Sequence, residues 1–133
     1  MKNIVWDESL SVDGGEIDED HRRLVDLFNI LSHAVAEGAS IDYIEAVLEE
    51  LISCTIWHFR HEERLMVLYK YEGIQQHKEE HNDLVESVRE LQRKFHKENK
   101  LLTSGDIEYL ADWLTGHIMG QDMKLGFYLM NEM

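Results

Sequence analysis

One stretch constrains this chain more than any other. Residues 58–81 read HFRHEERLMVLYKYEGIQQHKEEH. His58 and Glu62 are four residues apart, and so are His77 and His81. On an α-helix, residues i and i+4 share a face, one above the other. The stretch therefore reads as two helical arms broken near Gly73, each presenting a pair of metal-capable side chains. Imidazole and carboxylate together suit first-row transition metals.

The flanking sequence continues this pattern. Residues 1–16 read as an extended arm with Trp6 and Val12 as apolar anchors and a turn at Gly14-Gly15. Asp18 is the expected N-cap of a first helix, with Glu19 and Asp20 in its first turn. Its seam runs Ile17, His21, Leu24, Phe28, Leu31, Val35 in steps of four and three, the spacing of a bundle helix, and Gly38 ends it. Ser40 is the expected cap of a second helix, with seam Ile44, Leu48, Leu51, Thr55, His58, Glu62, Leu65, Tyr69. His58 and Glu62 thus stand where core residues belong. A third helix carries Ile74, His77, His81, Leu84, Val88, Leu91 and Phe95. After a turn at residues 103–105, capped by Ser104 or Thr103, a fourth begins with Ile107, Leu110, Leu114 and His117.

The fourth seam then slips. Its next position would be Gln121, but the metal-capable residue is Asp122, and the pattern resumes at Leu125 and Leu129. On an ideal helix five residues amount to about 140° of rotation away from His117. A one-residue slip of this kind predicts a π-bulge, and Gly116 and Gly120 would ease it.

Composition agrees with helices and narrows the function. The 133 residues contain no proline, one cysteine and eight histidines. The chain is expected to be all-α: one domain over 1–133, with an N-terminal arm (1–16) and an up-down-up-down four-helix bundle (17–133). A net charge of −14 argues against nucleic acid or an anionic membrane as partner. No secretory or membrane-spanning pattern is visible, so the cytoplasm is the expected compartment. Cys54 cannot form an intramolecular disulfide and reads as a small buried hydrophobe.

In alternating topology the starts of the first and third helices meet the ends of the second and fourth. His21, His58, Glu62, His77, His81, His117 and Asp122 then fall in one slab, roughly two turns deep at about 1.5 Å per residue. Buried ionisable groups are costly without partners. Seven are too many for one tetrahedral zinc but suit two adjacent octahedral ions bridged by carboxylates. Nitrogen-rich, sulfur-free ligation points to iron, then manganese.

The order His21, His58-x3-Glu62, His77-x3-His81, His117-x4-Asp122 resembles the hemerythrin family, specifically its single-domain bacterial members. Trp6, the IDEDH run, HFRHEE and WLTGHI carry the likeness further. A GGEID turn and a proline-free KYEGI segment depart from it, outside the ligand set. The resemblance implies two non-haem iron ions with a bridging oxo or hydroxo group. His77, His81 and His117 would hold one ion and His21 and His58 the other, with Glu62 and Asp122 bridging. Dioxygen would bind reversibly at the open position of the two-histidine ion. Leu24, Phe59, Trp113, Leu114 and Ile118 would line a dry oxygen pocket.

The implied function is oxygen carriage, storage or sensing, by a monomer and without catalysis. The alternatives are a di-iron enzyme that reduces peroxide or nitric oxide, and an oxygen- or iron-responsive regulatory module. His33, His61 and His96 lie off the seams and read as surface histidines. Met119, Met123, Met130 and Met133 read as adaptable packing.

Overall fold

A computed structural model describes Ile4, residues 16–97 and residues 102–132. Four rods form an up-down-up-down bundle. They are α1 (Glu16–Ala36), α2 (Ile41–Leu68), α3 (Ile74–Lys97), and a fourth made of α4 (Ser104–His117), a π-helical turn (Ile118–Asp122) and α5 (Met123–Glu132). Each rod packs on its neighbours: α1 on α2, α2 on α3, and α4 on both α1 and α3.

The helix ends follow from local chemistry. Ser40, with extended backbone, accepts the Tyr43 N–H on its hydroxyl at 3.2 Å. Thr103 and Asp106 form a reciprocal capping box: the Thr103 hydroxyl accepts the Asp106 N–H at 3.1 Å, and the Asp106 carboxylate accepts the Thr103 N–H at 2.9 Å. At the end of α1, Gly38 takes φ +66°. The Ala39 N–H donates to the Ala34 carbonyl and the Gly38 N–H to that of Val35, a Schellman closure. Helix α2 ends in the same way with Lys70 at φ 54°, the Tyr71 N–H reaching Met66 and the Lys70 N–H reaching Val67.

The first helix does not start at Asp18. It already runs from Glu16, and Asp18 lies buried two residues inside it. The reason is Ile17, which is fully buried on the seam and so must already be in helical phase. The π turn at Ile118–Asp122 falls where the seam slips, as the sequence predicts.

The apolar core fills the bundle along Phe28, Leu31, Leu48, Ile52, Leu110, Leu125 and Leu129. Of the N-terminal arm expected over 1–16, Ile4 and Glu16 are described, and Glu16 already belongs to α1. Ile4 is buried, and Asn29 of α1 brackets it, accepting the Ile4 N–H at 2.8 Å and donating to the Ile4 carbonyl at 2.9 Å. Trp6, Val12 and Gly14-Gly15 lie outside the described residues, as do the side chains of His96, Met119, Met130 and Met133. Among the described residues, no helix is long and apolar enough to cross a membrane.

Candidate metal centre

Every rod contributes to one buried cluster. α1 supplies His21; α2 supplies His58 and Glu62; α3 supplies His77 and His81; α4 supplies His117; the π turn supplies Asp122. All are at most 3% exposed. The structure thus brings together all seven side chains singled out by the seams.

The donors form two groups. Glu62, His77, His81, His117 and Asp122 place one ligand atom each within 4.8 Å of one another, and so do His21, His58, Glu62 and Asp122. The two carboxylates belong to both groups. Asp122 turns Oδ1 to the first, 3.0 Å from Nε2 of His77 and of His117, and Oδ2 to the second, 2.7 Å from Nε2 of His21. Glu62 Oε1 lies 3.0 Å from His81 Nε2 and 3.4 Å from His58 Nε2.

These spacings test the fit of a metal. Octahedral bonds of about 2.1 Å at right angles set neighbouring donors about 3.0 Å apart. The Nε2 atoms of His21 and His58 are 3.0 Å apart. Two imidazole nitrogens aimed at one point suit a shared cation better than each other. The buried Nε2 of His117 and Oε2 of Glu62 have no hydrogen-bond partner. Orphaned polar atoms in a core cost about 1–3 kcal/mol each, and a cation within the cluster would satisfy them. The donors fit a pair of octahedral first-row ions.

Three further carboxylates hold the outer nitrogens. Nδ1–H of His58 donates to Asp20 at 2.9 Å, that of His81 to Glu63 at 3.0 Å, and that of His117 to Glu80 at 2.8 Å. Such bonds fix the tautomer and aim the Nε2 lone pair inward. Sequence reasoning missed all three. The available signal was position: each acid adjoins a seam residue, in the runs IDEDH, HFRHEE and HKEEH. Each nevertheless serves a histidine on a different rod.

Without a metal, the cluster is a set of ion pairs. Burial pushes the His58 imidazolium down, but the charge of Glu62 and the bonds to Asp122 and Asp20 carry its pKa up to about 10. His77 likewise rises against burial to about 9, chiefly through Asp122 and Glu62. His117 also lies well above its ordinary value, burial being outweighed by Asp122. Burial and the charge of Asp122 oppose ionisation of Glu62, yet the surrounding imidazoles hold it down at about 2. Asp122 lies well below the usual carboxylate range, its burial outweighed by His117, His21 and His58.

The expected wall residues are placed unevenly. Phe59 stacks on His81 with ring centroids 3.8 Å apart, and the Phe59 and Trp113 centroids are 6.3 Å apart. Leu24, Leu114 and Ile118 are buried and Trp113 is half-buried. Trp113 and Leu114 line a small cavity of about 10 Å³ with Phe28, Leu51, Thr55, Val88 and Leu110. Leu24, Phe59 and Ile118 do not line it.

Two residues outside the cluster differ from expectation. His61 is not a surface histidine: its side chain is 12% exposed and its Nδ1 donates to Asp20 at 2.6 Å. The turn of α2 carries it toward α1, where Asp20 waits. Cys54 is half-buried rather than fully buried. His33 is exposed, as expected, and Met123 packs against the core.

Residues 15–126 match the family model of the hemerythrin HHE cation binding domain. Myohemerythrin-1 of Phascolopsis gouldii is 34% identical over 121 residues, covering 90% of this chain and 89% of its own. The bacteriohemerythrin of Methylococcus capsulatus (strain ATCC 33009 / NCIMB 11132 / Bath) is 32% identical, covering 84% and 85%. Among solved structures, a leucine-to-alanine mutant of hemerythrin superposes with a TM-score of 0.88 at 29% identity, over 97% of this chain and 98% of the other. Wild-type hemerythrin superposes at 0.79 and 32% identity, over 85% and 86%. With the helices, the cluster and these likenesses in agreement, the chain belongs to the hemerythrin family.

Proposed function

We propose that the seven clustered side chains hold two iron ions and that the protein binds dioxygen reversibly, as a carrier, store or sensor rather than an enzyme. The observation that carries this reading is the pair of donor groups sharing Glu62 and Asp122. His77, His81 and His117 would hold one ion, His21 and His58 the other, with Glu62, Asp122 and a bridging oxo or hydroxo group common to both. When bound, a reduced iron pair supplies the two electrons that capture dioxygen and are recovered on its release.

The chain's own residues set the conditions. The two-histidine group offers four protein donors against five in the other, which leaves room for a small ligand on that side. Five neutral imidazoles and only two carboxylates make a weakly anionic donor set, which stabilises high oxidation states poorly and favours release over oxidation of a substrate. Phe59 stacks on His81, and with the buried Leu24, Leu114 and Ile118 it would form the apolar wall that keeps water from the bound ions. The same reading treats residues 1–133 as one functional unit, supported by the family match over 15–126 and by a fourth rod that continues to Glu132.

Visible spectra of the iron-loaded protein under alternating air and argon test this. A charge-transfer band that appears with oxygen and vanishes without it, over many cycles, is expected. Multiple turnover of peroxide or nitric oxide with a supplied reductant, and no reversible band, would assign the site to an enzyme instead.

A further inference from the structure

Asp20 stands apart from the other two outer carboxylates. One oxygen, Oδ2, accepts from two imidazoles: Nδ1 of His58 at 2.9 Å and Nδ1 of His61 at 2.6 Å. His58 points into the cluster, and His61 lies three residues along the same helix, outside it. Among the described residues, Glu63 and Glu80 show no such second imidazole.

The two metal positions are therefore anchored differently. In the three-histidine group, His81 and His117 each have a carboxylate of their own. In the two-histidine group, only His58 is anchored, because the buried Nδ1 of His21 has no hydrogen-bond partner. That single anchor depends on Asp20 staying turned inward. The Asp20 side chain is 10% exposed, so water competes for its carboxylate, and any rotation that broke the His58 bond would release this anchor. The bond from His61 opposes that rotation. A carboxylate can only accept, so both Nδ1 atoms carry hydrogen. For His58 this leaves Nε2 as the inward donor atom.

Resting on the two-iron reading above, we infer that Asp20 and His61 are positioning residues for the two-histidine metal position, and that loss of either loosens the ion there while leaving the three-histidine position filled. Asp20, His58 and His61 also form a metal-capable triad by distance alone. Hydrogen bonding accounts for the triad instead: one Asp20 oxygen accepts from both Nδ1 atoms, and His58 already turns its Nε2 into the main cluster.

The test uses the iron-loaded full chain. Iron release to a strong chelator is followed in time for the wild type and for Asp20→Ala, Asp20→Asn, His61→Phe and His61→Gln. Asp20→Ala is expected to release one of two equivalents roughly 10–100-fold faster, with the other at the wild-type rate. Asp20→Asn keeps an acceptor and restores part of the loss. His61→Phe acts in the same direction but less, and His61→Gln, which keeps a donor, lies nearer the wild type. Mössbauer spectra should show one of two iron environments altered. Wild-type release of both equivalents from Asp20→Ala and His61→Phe, or equal acceleration of both, would overturn the inference. So would a third equivalent in the wild type that His61→Phe loses, since the triad would then be a metal site. A wild type that never holds two irons would instead remove the underlying reading.

Discussion

Oδ2 of Asp122 lies 2.7 Å from Nε2 of His21, although 101 residues separate them in the chain. The π turn makes this possible. Asp122 follows His117 by five residues, and the widened turn restores it to the face that an ideal helix would rotate away. The other Asp122 oxygen faces His77 and His117. One side chain thus joins both halves of the cluster.

Glu62 shares that duty from the opposite helix. Replacing Glu62 with Ala removes a donor common to both groups and is expected to lose at least one of two bound irons. Metal analysis after iron loading checks this, and two firmly held irons in the variant would contradict the shared role.

The metal-free protein should show a pH-dependent stability set by the cluster. His58 at about 10 and His77 at about 9 lie above their ordinary 6.5. Their contribution is full below about pH 6.5 and fades as pH rises through 9 and 10. Glu62 at about 2 lies below its ordinary 4.5, so its contribution is full above about pH 4.5 and is lost as pH falls through 2. Calorimetry on chelated protein should find Tm highest between about pH 4.5 and 6.5 on these groups' account. Iron uptake at neutral pH must displace the imidazole protons, so apparent affinity should climb with pH. A flat Tm profile and no proton release on loading would refute the ion-paired description.

Leu114 is 2% exposed and borders the small cavity beside Trp113. Truncation to Ala enlarges that space and should cost about 2–5 kcal/mol in urea unfolding. Easier access of water should also shorten the lifetime of the oxygenated form. An unchanged lifetime would remove Leu114 from the pocket wall.

The matched ends of α1 and α2 give a test independent of any metal. Gly38 occupies the left-handed region, and nothing lies within 4 Å of where a methyl group would stand on it; Lys70 adopts nearly the same φ with a side chain. Gly38→Ala should therefore destabilise by about 1 kcal/mol, through backbone strain alone. Lys70→Gly should stabilise by about 0.5–1 kcal/mol. Chemical denaturation resolves both, and shifts of the opposite sign would show that neighbouring contacts dominate.

Much of this molecule is legible in the order of residues. Steps of four and three identify the buried faces, so His58 and Glu62 read as inward from spacing alone. The slip between His117 and Asp122 foretells the π turn, Ser40 announces the second helix, and the fourth is announced by Ser104 or Thr103, of which Thr103 is the cap. What stays hidden is interhelical. A seam says which face is buried but not which side chain stands across from its flank. That depends on how neighbouring rods are rotated, so Asp20, Glu63 and Glu80 pass as solvated acids and His61 as a surface residue. Asp18 reads as a cap because its residue type favours one, and the burial of Ile17 beside it decides otherwise.

Anomalous diffraction at the iron edge, on crystals of iron-loaded protein, bears most directly on the central claim. Two peaks are expected, one among His77, His81 and His117 and one between His21 and His58, with Glu62 and Asp122 reaching both. A single peak, or density away from these side chains, would contradict it.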